Sequence, residues 1–132
     1  MQKVKIVIAD DDQDIRDSVT SILEAQGYDV VAAKDRPEAM EKIKAEKPNL
    51  AVLDVMMDSS SDGFEMAREL KKDPEFKDMP ILLLTGVKQE TGFDFESAAG
   101  DPEWCPVDGF LNKPVEPETL ISEVSKLLQD SN

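Results

Sequence analysis

The stretch IVIADDDQD, residues 6–14, joins a short apolar run to three consecutive aspartates. Its first four residues are β-branched or small, which is typical of a buried strand in a parallel sheet. Asp10, Asp11 and Asp12 follow at once, although neighbouring like charges repel and the end of a strand does not require them. Something in the folded protein should therefore favour negative charge at this strand end.

The rest of the chain alternates apolar runs with amphipathic stretches. Strands are predicted at residues 5–9, 30–33, 50–53, 80–86 and 109–111, with helices between them. The first helix is expected to stop at Gly27, the second to begin at Pro37 and the last to open near Pro117. This alternation predicts an α/β fold with a five-stranded, mainly parallel sheet, doubly wound with helices on both faces. Residues 1–132 are expected to form a single domain.

The composition excludes several classes of function. The net charge of −14, from 29 acids against 15 bases, disfavours direct DNA binding because phosphate backbones would repel it. No apolar run approaches a membrane span. The single cysteine, Cys105, cannot form an internal disulfide and suits a reducing cytoplasm. Histidine is absent, which excludes histidine catalysis and leaves oxygen-bound hard cations as the expected metals.

The acids are expected to meet at one edge of the sheet. Ligands of open α/β sheets bind at the carboxyl ends of the strands, where the strand order reverses. Strand one ends at Asp10 and Asp11, and strand three ends at Asp54. If these strands are neighbours, each pair of carboxylates at about 5 Å would repel by roughly 3 kcal/mol at an effective dielectric near 20. A divalent cation would offset that repulsion, and few oxygen ligands with room for water suit Mg²⁺.

Two further residues are expected at the same edge. Strand four ends with the hydroxyl of Thr85, and strand five is followed by the ammonium of Lys113. Carboxylates, a metal ion, a hydroxyl and a fixed cation suit phosphoryl transfer, in which one carboxylate attacks in line while cations neutralise the equatorial oxygens.

Four motifs in order, ADDD, LDVMM…DGFE, LLTG and FLNKPV, resemble the response-regulator receiver domain of two-component signalling, over nearly the whole chain. The resemblance implies a flavodoxin-like sheet of strand order 2-1-3-4-5. It also implies that Asp54 is the phosphoacceptor. Asp10 and Asp11 match the acidic pair of the magnesium site, and the backbone carbonyl of Met56 matches a further ligand. Asp12 has no role in the family's site and is interpreted as a helix-start acid favoured by the helix dipole.

The same resemblance implies a conformational switch. Thr85 matches the hydroxyl that bonds the phosphoryl group, and Phe110 matches the aromatic residue that changes rotamer with it. Lys113 matches the lysine that pairs with the phosphoryl group.

We expect a stand-alone response regulator without an output domain, because the last predicted helix ends near Gln129 and the sequence ends at Asn132. Asp54 would accept its phosphoryl group from a sensor histidine kinase or a phosphotransfer protein, with Mg²⁺ as cofactor, and the output would pass to an unidentified partner protein. Such a domain is not an enzyme, because it promotes only its own phosphorylation and dephosphorylation. Two alternatives remain open: a pseudo-receiver that acts as a phosphorylation-independent interaction module, and a magnesium-dependent phosphatase. The phosphatase is disfavoured because no second acid follows two residues after Asp54.

Overall fold

The computed structural model describes residues 4–54, 62–85, 108–112 and 116–130. Its strands form one parallel sheet in the order β2-β1-β3-β4-β5. The strands are β1 (Lys5–Ala9), β2 (Asp29–Ala33), β3 (Leu50–Asp54), β4 (Ile81–Thr85) and β5 (Gly109–Asn112). The predicted parallel α/β sheet is confirmed, and β1 to β4 have the predicted order 2-1-3-4. The edge strand β5 has four residues and pairs with β4 from Leu82↔Gly109 to Thr85↔Asn112.

Helices cover both faces of the sheet, as predicted. The described helices are α1 (Gln13–Ala25), α2 (Arg36–Glu46), α3 (Asp62–Lys72) and α4 (Pro117–Asp130). Successive side chains of a strand point to opposite faces. Ile6 and Ile8 accordingly belong to a core cluster with residues of α1 and α4. Val7 and Ala9 belong to a second cluster with residues of α2 and α3. β1 therefore packs against both layers of helices.

Aspartates form the N-caps of the first two helices. Asp12 is the N-cap of α1, and its side chain accepts a hydrogen bond of 2.9 Å from the backbone N–H of Asp14. The interpretation of Asp12 as a helix-start acid is therefore confirmed. Gly27 follows α1 with a φ of 92°, a left-handed backbone that glycine adopts without steric cost. Asp35 caps α2 in the same way as Asp12, accepting from the N–H of Glu38 at 2.9 Å.

A polar cluster anchors the start of β5 at the amino edge of the sheet. One carboxylate oxygen of Asp108 accepts both the Lys71 ammonium at 3.0 Å and the backbone N–H of Ile81 at 2.8 Å. Lys71 also donates to the backbone carbonyl of Met79 at 2.9 Å. These bonds join the end of α3 to the start of β4 and to the residue that precedes β5, and so hold the short edge strand beside β4.

Within the described ranges, no helix combines the length and the apolar character needed to cross a membrane.

Candidate metal centre

Three carboxylates meet at the carboxyl edge of the sheet. The β1–β3 register pairs Ala9 with Leu53, so the next residues, Asp10 and Asp54, lie side by side as the two strands end. One carboxylate oxygen from each of Asp10, Asp11 and Asp54 lies within 4.8 Å of the others. The structure thus brings together the three acids that the sequence analysis assigned to a metal.

Two of these acids are buried and one is exposed. Asp10 is 0% exposed and Asp54 is 4% exposed, whereas Asp11 faces solvent. Two carboxylates at the observed separation repel by about 3 kcal/mol at an effective dielectric near 20, and burial raises the cost of keeping them charged. A hard divalent cation would offset both costs. An oxygen-only donor set with one solvent-facing member fits Mg²⁺, which keeps several of its water ligands.

Backbone hydrogen bonds orient the carboxylate of Asp10. The backbone N–H of Asp10 donates to the carbonyl of Ala33 in β2 at 3.1 Å, and this bond continues the β1–β2 pairing by one residue. One of its carboxylate oxygens accepts the backbone N–H of Asp12 at 2.9 Å. Asp10 is therefore held by the sheet on one side and by its own loop on the other, with its side chain directed to the edge where Asp54 ends β3.

Arg16 is a residue of this site that the sequence analysis did not identify. Its guanidinium Nη1 donates to the backbone carbonyl of Asp10 at 2.8 Å. Arg16 lies four residues after the N-cap Asp12, in the first turn of α1 and close to the acidic loop. Its contact is with a backbone carbonyl, which has no signature in the sequence, so sequence reasoning could not have found it.

The two residues predicted to form the switch, Thr85 and Phe110, lie on β4 and β5. Asp54 pairs with Leu84 in β4, and Thr85 is the next residue and the last of that strand. The backbone of Thr85 therefore ends at the same edge as the acids. Phe110 pairs with Leu83 and so lies further from that edge. Met56 and Lys113 lie outside the described residues, and the roles of all the switch and ligand residues stay predictions.

The comparisons with known proteins agree with this geometry. Residues 6–125 match the response regulator receiver domain. The chain therefore belongs to the response-regulator receiver family, the receiver part of two-component signalling. Receiver domains in general bind Mg²⁺ and interact with histidine kinases or phosphotransfer proteins.

Similar curated proteins include transcriptional regulators. The chain is 35% identical over 127 residues to the alkaline phosphatase synthesis transcriptional regulatory protein PhoP of Bacillus subtilis, a match that covers 96% of this chain and 49% of that protein. It is 36% identical over 126 residues to the response regulator MprA of Mycobacterium bovis strain BCG, covering 96% of this chain and 51% of that protein. The chain thus spans about half the length of the curated relatives that it matches.

Similar solved structures include chains that the match covers almost entirely. The chemotaxis response regulator CheY4 of Vibrio cholerae superposes with a TM-score of 0.78 at 28% identity, covering 96% of this chain and 99% of that chain. A CheY-like receiver domain protein of Methanospirillum hungatei superposes with a TM-score of 0.83 at 28% identity, covering 98% of this chain and 97% of that chain.

Proposed function

We propose that this receiver domain accepts a phosphoryl group on Asp54, in a reaction that depends on Mg²⁺, and transmits a signal through a partner protein. The observation that carries the proposal is the position of Asp54. It ends β3 as a nearly buried carboxylate within 4.8 Å of two further acids. A lone buried acid would be costly, whereas an acid beside a cation site is suited to phosphoryl transfer.

In the proposed reaction, a carboxylate oxygen of Asp54 attacks the phosphorus of a phosphohistidine in line with the bond to the imidazole nitrogen. The phosphorus–nitrogen bond breaks, its electron pair stays on the imidazole, and the product on Asp54 is an acyl phosphate. Asp10, Asp11, Asp54 and the carbonyl of Met56 would hold Mg²⁺, which supplies positive charge to the equatorial phosphoryl oxygens. By the family resemblance, Lys113 would pair with the phosphoryl group, while Thr85 and Phe110 would couple it to the surface.

The organisation of the whole protein is a second part of the proposal. We propose a stand-alone regulator with no output domain and no direct DNA binding, located in the cytoplasm and active only in its own phosphorylation and dephosphorylation. The likeness to CheY4 supports this proposal, because the match covers 99% of that chain. The matched PhoP, whose name describes a transcriptional regulatory protein, is about twice the matched length and favours the alternative of a receiver with a DNA-binding output domain.

The phosphoacceptor is tested by the intact mass of the protein after incubation with acetyl phosphate or phosphoramidate, with and without Mg²⁺. We expect a gain of one phosphoryl group that requires Mg²⁺ and is lost in Asp54→Asn. The matched control is Asp12→Asn, which removes the same charge from the same edge while asparagine keeps the N-cap of α1. Asp12→Asn should keep the mass gain.

A folded protein that gains no mass from either donor would contradict the proposal and favour the pseudo-receiver, provided that a panel of phosphorylated histidine kinases also fails to label it. A gain that survives in Asp54→Asn would assign the phosphoryl group to another residue.

A further inference from the structure

Arg16 contacts both ends of the turn that carries the acids. Its guanidinium Nη1 donates to the backbone carbonyl of Asp10 at 2.8 Å, in a partly buried position. Its backbone N–H donates to the carbonyl of Asp12 at 3.0 Å, the first hydrogen bond of α1. A single residue of α1 therefore closes the turn from both sides, with Asp11 in the middle.

The bond to Asp10 lies where the chain leaves the sheet. The N–H of Asp10 still belongs to the sheet, because it donates to Ala33 of β2. The carbonyl of the same residue is directed to α1, where it accepts a hydrogen bond from the Arg16 guanidinium. Asp10 is thus the residue at which β1 ends and the acidic turn begins, and the hydrogen bond from Arg16 fixes the orientation of its carbonyl.

Electrostatic repulsion acts against this arrangement. The oxygens of Asp10, Asp11 and Asp54 lie within 4.8 Å of one another, and Asp11 is the exposed member that is free to swing toward solvent. Without a cation, repulsion favours states in which the turn opens. An ion then binds with reduced apparent affinity, because only the fraction of molecules with a closed turn is competent.

We propose that Arg16 is a positioning residue that keeps the acidic turn closed before the metal ion arrives. It touches neither the ion nor the phosphoryl group. It acts through the Asp10 backbone, and through it on the placement of Asp10 and Asp11. The inference rests on the proposed function, since it concerns the same metal site, but it addresses how the site is preorganised rather than which residue is phosphorylated.

The direction in which the Mg²⁺ affinity changes when Arg16 is replaced distinguishes this role from a purely electrostatic one. Arg16 carries a positive charge next to a cation site, so by Coulomb's law its removal should tighten Mg²⁺ binding. If the guanidinium holds the turn closed, its removal should weaken Mg²⁺ binding instead. Loss of a hydrogen bond of this kind corresponds to roughly a fivefold change in the affinity for Mg²⁺. A change of that size is large enough to show whether binding has weakened or tightened.

The experiment measures the Kd for Mg²⁺ by isothermal titration calorimetry on the full chain. Arg16→Met keeps the aliphatic stem and removes the donors and the charge, and we expect its Kd to rise roughly fivefold. Arg16→Lys keeps the charge and a donor, and we expect it to restore most of the affinity. The matched control is Arg68→Met, which removes the same charge from α3, a helix on the opposite face of the sheet from α1. Its Kd should stay at the wild-type value.

Phosphorylation kinetics add a readout that a purely structural role would not move. For Arg16→Met, the initial rate with phosphoramidate should fall at low Mg²⁺ and return to the wild-type rate at saturating Mg²⁺. Loss of the fold would lower the rate at low and at saturating Mg²⁺ alike. Should Arg16→Met fold poorly by circular dichroism, Arg16→Gln takes its place, because its side chain is shorter and uncharged and no longer spans to the Asp10 carbonyl.

An unchanged or lower Kd in the folded removal variant would overturn the role of Arg16. If the wild-type protein binds Mg²⁺ and is phosphorylated on Asp54, the proposed function stands regardless of that result. A wild-type protein that binds no Mg²⁺ would overturn both.

Discussion

At the scale of single residues, three acids of one site have different surroundings. Asp10 and Asp54 are buried at strand ends, whereas Asp11 is exposed in the turn between β1 and α1. Asp12 comes next in the sequence, yet its side chain accepts the N–H of Asp14 and caps α1. Four aspartates near the ends of strands are thus divided into two buried members and one exposed member of the acidic cluster, and one helix cap.

The exposed acid gives a prediction with opposite effects in two conditions. Asp11→Asn removes one charge from the cluster, so we expect the free energy of unfolding without metal to rise by up to about 1 kcal/mol. The same change should reduce the additional stability that Mg²⁺ confers, because a ligand is lost. Urea unfolding in chelator and in excess Mg²⁺ measures both effects.

Asp12→Asn is the control for this pair of measurements, since it removes an adjacent charge without removing a carboxylate of the cluster. It should keep the Mg²⁺-dependent gain in stability. An Asp11→Asn protein that is less stable without metal and gains as much from Mg²⁺ as the wild type would show that Asp11 is not part of the site.

At the scale of elements, the edge of the sheet opposite the acids is held by contacts between β1, α2 and the start of β3. The Lys5 ammonium lies 2.7 Å from a carboxylate oxygen of Glu46, the last residue of α2. The backbone N–H of Lys5 donates to the side chain of Asn49 at 2.9 Å, and the N–H of Asn49 donates to the Lys5 carbonyl at 2.7 Å. These contacts fix the end of α2 against the strand whose other end carries the acidic cluster.

The Lys5–Glu46 pair predicts a pH dependence of stability. The hydrogen bond from Lys5, and then its charge, lower the pKa of Glu46 from 4.5. The hydrogen bond to Glu46 raises the pKa of Lys5 above 10.5. The stability from Glu46 is therefore present above pH 4.5 and is lost as the pH falls through its lowered folded value. The stability from Lys5 is present below pH 10.5 and is lost as the pH rises through its raised folded value.

We therefore expect Glu46→Gln to be less stable than the wild type between these limits, with the difference closing in stronger acid or base. Both side chains are about one third exposed, so the difference should be small. Urea unfolding from pH 3 to 11 measures it. Glu41→Gln on the same helix is the control, since Glu41 has no ion pair in the described part of the chain, and a difference of the same size there would contradict the assignment.

At the scale of the whole molecule, the net charge of −14 opposes compaction. We expect the free energy of unfolding to rise by roughly 1 kcal/mol when NaCl increases from 10 to 150 mM, because salt screens repulsion between exposed acids. At equal ionic strength, MgCl₂ should stabilise further, by about 1.4 kcal/mol at ten times the Kd. Thermal and urea unfolding with the two salts measure both terms.

Asp54→Asn is the control that separates the two terms, since it keeps nearly the whole net charge and removes one ligand. Its response to NaCl should match the wild type, and its additional response to MgCl₂ should shrink. Equal stabilisation by both salts in the wild type would contradict a specific metal site.

Much of the fold is predictable because its signals are local. The predicted strand at residues 5–9 agrees with β1. The strands predicted for β2, β3 and β5 differ from the observed ones by one residue at one end, and the strand predicted for β4 is one residue longer at each end. Short β-branched runs bounded by polar residues define such strands without reference to the rest of the chain. The ends of helices are less predictable. Lys47 ends α2 in a left-handed conformation, φ 49°, where glycine would be expected, because the contacts of α2 with β1 decide where it stops.

The alternation of strands and helices, and the acids after strands one and three, can be predicted from the sequence because hydrophobic periodicity and capping act over a few neighbouring residues. Which acids share a site depends on how the strands pair. Asp54 joins Asp10 because β1 and β3 are paired in register, whereas Asp12 is diverted to the cap of α1. Arg16 likewise reaches Asp10 through a backbone carbonyl, a contact that depends on how α1 packs against the end of β1 and that no pattern of residues records.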